Sequence, residues 1–325
     1  MKRYNEENTV HVFFASDDRY LPYLGVAIKS LSDYASDKYL YDVKILSEGF
    51  SEESLAELKR IIKPNVNISV YDINEKVSYL REHLHLRLRD YYSISIYYRM
   101  FIPSMFSELP RAVYLDSDIV LCDDVAKLYF TDIGDNLLGA VTDESVITVP
   151  VFCDYVKRQI GVESESEYFN SGVLLMNLDG MREEKIEEIF IQLLLAYNFN
   201  TVAPDQDYLN FLCRGRVHYL DAGWNKHAIP GRDIDESELH LVHYNMFNKP
   251  WRYDNVPFEE KFWSVARKTP FADEIYAGKL AYTDENRAAD MEGGKKLLLT
   301  AKEIFENGDS MNEVIEEMVL YAVAI

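Results

Sequence analysis

The 325-residue chain is 48% hydrophobic, enough apolar content for a substantial core, and carries 55 acidic against 34 basic residues for a formal charge of −21. Such a surface repels nucleic-acid phosphates and anionic lipid, and no basic run exceeds a pair such as Lys295-Lys296, so nucleic acid is excluded as an expected partner. No run approaches the roughly 20 apolar residues that cross a bilayer, VHVFFA near the start is too short for a signal-peptide core, and Cys122, Cys153 and Cys213 form neither a CxxC nor an even set.

In chain order, VHVFFAS (10–16) predicts a strand, and LPYLGVAIKSLSDYA has helical spacing at Leu21, Leu24, Ile28 and Leu31. YDVKILSE (41–48) predicts a second strand, and SEESLAELKRIIKP a helix with Ser51 as N-cap and Pro64 as stop. VNISVYDIN alternates cleanly as a third strand, so the opening third is a strand–helix repeat, which makes a parallel sheet with crossover helices. SISIYYRMFIPSMF predicts a helix interrupted by Pro103. RAVYLDSD, LLGAVTDE and YFNSGVLLMNL predict strands, followed by the amphipathic EEKIEEIFIQLLLAYN and by PDQDYLNFLC, whose Pro204 suits a first helical turn. RVHYLDA and ELHLVHYN are the last strand candidates. After about residue 256 only helical patterns remain, including EEKFWSVARK, GKKLLLTAKEIFENG and MNEVIEEMVLYAVA. The expected architecture is α/β, a mixed, mainly parallel sheet flanked by helices over 1–255, with an α-helical extension over 256–325.

The segment AVYLDSDIVLCDD (112–124) places Asp116 and Asp118 where an apolar strand should continue. Buried carboxylates must be paired, hydrogen-bonded or metal-bound. If strand geometry persists, residues at i and i+2 share a face, and strand C-termini are where open α/β sheets bind ligands. Two such acids attract a hard divalent cation, Mn²⁺ or Mg²⁺; an isolated Asp-x-Asp is more often a plain strand end. The fourteen glycines form no GxGxxG and no GxxxxGK[ST], and GxSxG and HExxH are absent. A phosphate ligand would therefore need a cation to neutralise it.

FFASDDRYLPYLGVAIKSL, YYRMFIPSMF, RAVYLDSDIVLCDDVAKLY, YFNSGVLLMNL, PDQDYLN and HYNMFNKPW, in this order and spacing, resemble the retaining glycosyltransferases of family 8, which include bacterial lipopolysaccharide galactosyl- and glucosyltransferases and glycogenin. The resemblance runs from about residue 10 to 251. It implies a GT-A fold that binds a UDP-sugar with a divalent metal, usually Mn²⁺, and transfers a hexose, galactose or glucose, to a glycan or glycolipid acceptor. Asp116, Asp118 and His243 match the metal ligands. Asp17 matches the acid that meets uracil, with Ala15 beside it, and Asp18 reads equally well as a helix cap. Arg99 matches a donor-binding arginine, Ser117 falls with the donor-binding residues, and Lys249 matches a lysine on the diphosphate. Asp205 and Gln206 match the family's active-site pair, and Asn170 a donor-sugar contact.

In ELHLVHYN, His240 and His243 are three apart and point to opposite faces of a strand, so only one can be a ligand. The family block reads HxxGxxKPW, whereas this chain has Met246 in place of glycine. The expected reaction is a front-face substitution, with the Gln206 carbonyl supporting positive charge at the anomeric carbon. A catalytically silent UDP-sugar-binding protein is the alternative. The compartment expected is the cytoplasm or the inner membrane face, with weak or no membrane attachment because the C-terminal tail is not basic.

Overall fold

A computed structural model describes residues 6–83, 94–308 and 310–314. Its main sheet has seven strands: β1 Thr9–Ala15, β2 Leu40–Ser47, β3 Val66–Asp72, β4 Arg111–Leu115, β6 Leu138–Thr142, β7 Phe169–Asn177 and β8 Val217–Tyr219. Their spatial order is β3-β2-β1-β4-β7-β6-β8. β1 runs parallel to β2 and β4, β2 to β3 and β6 to β8, whereas β7 is antiparallel to both neighbours. The expected mixed, mainly parallel sheet is what is found.

Both faces of the central strands β1, β4 and β7 are covered, which is why they read as near-continuous apolar runs, whereas β3 at the sheet edge alternates. Val10, Val12 and Phe14 of β1 join the core that includes Leu24, Ile28 and Leu31 of the helix Leu21–Tyr34. Phe13, on the other face, packs with Tyr97, Phe101 and Phe190. Ser51 caps the helix Glu52–Arg60 by accepting from the Ser54 N–H, as its position predicts.

Three local expectations change. Residues Ile94–Phe101 form a 3₁₀ helix, and Pro103 sits in the first turn of the short helix Ile102–Met105 instead of breaking one. The amphipathic run after β7 divides into Leu178–Glu183 and Ile186–Ala196 at Lys185, whose φ of 55° cannot continue a helix. The strand carrying the two acids stops at Leu115. Asp116, Ser117 and Asp118 form a bend, after which β5 (Ile119–Leu121) enters a second sheet with β9 (Lys226–His227) and β10 (Leu241–His243) in the order β5-β10-β9.

After β10 the described residues form only helices, Glu259–Ala266, Ala272–Leu280 and Asp284–Asn307 being the longest. Phe262, Trp263 and Phe271 are buried in the same core as β1, and Phe271 lies so close over Gly25 that a Cβ there would sit 2.3 Å from its ring. The division at 255 therefore remains a proposal from sequence. The end of the predicted last helix, 315–324, lies outside the described residues. No described helix is long and apolar enough to cross a membrane.

Candidate active site

The acidic bend is pinned from three sides. The Asp116 N–H donates to the Gly172 carbonyl of β7 at 2.8 Å, the Ser117 hydroxyl to the Ala15 carbonyl at the end of β1 at 3.1 Å, and the Tyr244 N–H to the Asp118 carbonyl at 2.9 Å. Register in the small sheet sets Ile119 opposite His243. One ligand atom each from Asp116, Asp118 and His243 then lies within 4.8 Å of the others. Convergence thus arises from a bend and a second sheet, not from two residues on one face of a continuing strand.

His243 Nε2 lies 3.3 Å from an Asp118 oxygen and 3.8 Å from Asp116 Oδ2. Its Nδ1 is 2.9 Å from Asn225 Oδ1, and the Asn225 amide nitrogen donates to Asn170 Oδ1, also at 2.9 Å. With Asn225 presenting its oxygen, the imidazole proton belongs on Nδ1, which leaves the Nε2 lone pair facing the carboxylates as a metal ligand requires. Gly172 opposes this triad at close range: a Cβ there would fall 2.3 Å from His243 Cε1 and 2.6 Å from Asp116 Oδ2. His240, by contrast, stacks on Trp224 and pairs with Asp123 at 2.9 Å, away from the bend.

Around the triad lies a layer of buried polar side chains. Arg99, only 3% exposed, is no surface arginine: it meets Asp116 Oδ1 at 2.9 Å, Asp205 Oδ2 at 3.2 Å and the Ser171 carbonyl. Ser171 is the junction of this layer. Its hydroxyl donates to Asp205 at 2.9 Å and its N–H to Gln206 Oε1 at 3.0 Å. Gln206 also accepts from Asn170 at 3.1 Å and donates to Asp143 at 2.9 Å, and Asn170 donates to Asp143 at 3.0 Å. Asp143, Ser171 and Asn225 are site residues that the sequence analysis did not select. Asp143 held the one available signal, an acid directly after the apolar run LLGAVT.

Burial raises the Asp118 carboxyl, but Lys249 and His243 outweigh it and hold the group well below the usual carboxylate range. Burial likewise works against ionised Asp143, yet His227, Asn170 and Gln206 keep it low. At Asp205 burial prevails over Arg99 and the pKa rises. His227, fully buried, is depressed to about 4, with Asp143 pulling the other way. Beside it the Lys226 ammonium grips both oxygens of Glu144 at 2.8 Å.

Asp207 anchors the start of the helix Pro204–Leu212. It accepts from the Val202 and Ala203 N–H groups at 3.0 Å and from the Tyr155 and Tyr168 hydroxyls at 2.6 Å. Burial pushes its pKa up to about 6. A carboxyl whose folded pKa exceeds the unfolded one adds stability as pH falls through the folded value. Wild type should therefore gain about 1.4 kcal/mol relative to Asp207→Asn between pH 7 and pH 5, read from urea melts at both pH values. A constant gap between the two proteins would contradict this.

Two more of the expected site residues are held by protein groups. The Lys249 ammonium donates to Asp118 and to the Tyr244 carbonyl, which occupies two of its three N–H groups. Asp17 caps the turn Asp18–Tyr20 through the Tyr20 N–H at 3.1 Å and pairs with Arg19 at 2.6 Å, at the rim beyond Ala15. Asp18 accepts instead from the Ser51 N–H, at 3.1 Å.

Met246 has a φ of 57°, the left-handed region where a side chain is strained. The backbone keeps the conformation that suits glycine while the residue is methionine. Met246→Gly is expected to raise stability by about 0.5–1 kcal/mol, the relief of strain exceeding the added unfolded-state entropy; an equal or lower melting temperature would refute this.

Residues 11–255 match the family described as "Glycosyl transferase family 8". The chain belongs to that family. Relatives of this family 8 chain include a "Putative glycosyltransferase" of Haemophilus influenzae, 31% identical across 67% of this chain and 63% of that protein. Another is the "Lipopolysaccharide 1,2-glucosyltransferase" of Escherichia coli, 25% identical across 83% of this chain and 81% of that one. The chain spans somewhat less than two thirds of the Haemophilus protein. Among solved structures, an active-site mutant of LgtC is 27% identical, with a TM-score of 0.67 over 83% of this chain and all of that one.

Proposed function

We propose that this family 8 member is a retaining hexosyltransferase that moves glucose or galactose from a UDP-sugar to a sugar-containing acceptor, such as a cell-surface glycan, with Mn²⁺ or Mg²⁺. The observation that carries the reading is the convergence of Asp116, Asp118 and His243 on one point, with Gly172 leaving room there. Charge agrees: Asp116, Asp118 and Asp205 face Arg99 and Lys249, three acids against two cations, which leaves room for a cation. Carboxylates with an imidazole suit Mn²⁺. LgtC, a galactosyltransferase by name, has been crystallised with donor and acceptor sugar analogues, which supports the substrate class.

A divalent ion held by these three side chains would serve as a Lewis acid toward the leaving diphosphate. Arg99, fixed by Asp116 and Asp205, would orient the donor, and Asn170 with Asp205 would meet the sugar. The Gln206 carbonyl already accepts from Asn170 and Ser171. In this reading Gln206 therefore positions Asn170, Ser171 and Asp143 instead of offering its oxygen to the anomeric carbon, and Asp143 is the carboxylate placed beside that junction. Lys249 would exchange Asp118 for the diphosphate as the donor arrives.

The Lys249–Asp118 pair and the side chain at Met246 favour a second reading, a silent UDP-sugar binder. Incubation with UDP-glucose or UDP-galactose, Mn²⁺ and oligosaccharide acceptors separates the two. The transferase reading expects UDP release and a longer glycan, lost on chelation and restored by Mn²⁺. Binding of UDP-sugar without turnover would establish the second reading.

A further inference from the structure

The helix Ile186–Ala196 ends in a turn that builds an aromatic platform. Asn198, at a φ of 41°, reverses the chain between Tyr197 and Phe199. The two rings lie nearly flat on each other, centroids 5.3 Å apart and planes 15° apart. Phe199 is anchored inward: it is 6% exposed, its ring meets Tyr208, and its N–H donates to the Tyr208 hydroxyl at 3.3 Å. Tyr197 is the outer ring, 39% exposed.

Between this turn and the end of the helix Asp284–Asn307 lies a cavity of about 240 Å³, lined by Tyr197, Phe199, Asn200, Glu303, Ile304 and Asn307 among others. It is smaller than the roughly 300–1,000 Å³ typical of drug-sized ligands. Its chemistry is mixed in a particular way: aromatic and aliphatic surface beside two carboxamides and a carboxylate, with no lysine, arginine or histidine among the lining residues. A hexopyranose presents C–H groups on its faces and hydroxyls around its edge. An aromatic face takes the former, and amide and carboxylate groups take the latter as donors and acceptors. An anionic ligand would find no cation on these walls.

We propose that this cavity is an accessory saccharide site that holds one neutral hexopyranose unit of an oligosaccharide, with Tyr197 as its stacking platform. None of its lining residues belongs to the Asp116–Asp118–His243 cluster. It lies at the start of the short connection 197–203 that leads into the helix bearing Asp205 and Gln206, on which Asp207 holds Val202 and Ala203. The choice of a saccharide rests in part on the glycosyltransferase reading; the site itself does not need turnover.

The test is saturation-transfer NMR and calorimetry with maltotriose and lactose on the full chain, without metal or nucleotide. Binding is expected, unaffected by saturating UDP and Mn²⁺. Tyr197→Ala should weaken it about tenfold, Asn307→Ala should weaken it, and Tyr197→Phe should retain it, with melting temperatures confirming that each variant is folded. The inference is overturned if neither saccharide binds, if Tyr197→Ala binds as wild type does, or if UDP with Mn²⁺ displaces the sugar. Loss of this binding alongside intact UDP-sugar turnover removes only the accessory site. Tyr197-dependent binding without turnover removes only the transferase reading.

Discussion

Asp118→Ala is expected to reduce UDP-sugar turnover on the order of a thousandfold and to remove the stabilisation that Mn²⁺ confers on the native state. The change deletes one of the three converging side chains proposed to hold the ion. It also strands the Lys249 ammonium, only 6% exposed, without its carboxylate. Breaking a buried pair by removing one partner costs about 3–5 kcal/mol, so the apo protein should melt earlier as well. Asp118→Asn separates the two effects, since it preserves the shape and an oxygen for Lys249 but removes the charge. Thermal melts with and without Mn²⁺, paired with a UDP-release assay, read both. A variant that still gains melting temperature from Mn²⁺ as wild type does would show that the ion is held elsewhere.

Gly172→Ala is expected to lower turnover about a hundredfold while leaving the secondary structure intact. The added methyl group would sit 2.3 Å from His243 Cε1 and 2.6 Å from Asp116 Oδ2. Neither neighbour is a free side-chain end. His243 is held by Asn225 at 2.9 Å, and Asp116 by Arg99 at 2.9 Å and the Tyr114 hydroxyl at 3.0 Å. The strain, about 1–3 kcal/mol for an overpacked site, therefore falls on two of the three proposed ligands, and misplacing reacting groups by even about 1 Å can cost a hundredfold in rate. Gly49→Ala, where no atom lies within 4 Å of the new Cβ, is the matched control. Wild-type affinity for Mn²⁺ in Gly172→Ala would overturn this account of the triad.

The strand–helix repeat of the first third was legible because hydrophobic period and cap chemistry agree there: β1, β2 and β3 and the Ser51 cap appear where the pattern puts them. The acidic pair was legible as a pair, since its cost in an apolar run is a local property. The route by which it meets His243 was not, because the bend at 116–118 and the pairing of β5 with β10 depend on contacts far apart in the chain. For the same reason nothing local in YYRMF tells that Asp205 and Asp116 draw Arg99 inward. Ser171 and Asn225 carry no signal of their own; they matter through the groups they join. Lys185 and Met246, both at positive φ, show backbone demands overriding residue preference, which no periodicity reports.

The three-stranded sheet has a consequence for how the protein matures. β5 must wait for β10, which lies more than a hundred residues later in the chain and carries β9 on its other side, before it has a strand partner. Pairings so distant close late, after the local strand–helix units. During synthesis, a nascent chain released only through Gly172 would already hold both aspartates yet lack His243. Cation affinity would then switch on as one of the last events of folding, and manganese-induced stabilisation of truncated chains would time the closure of that small sheet.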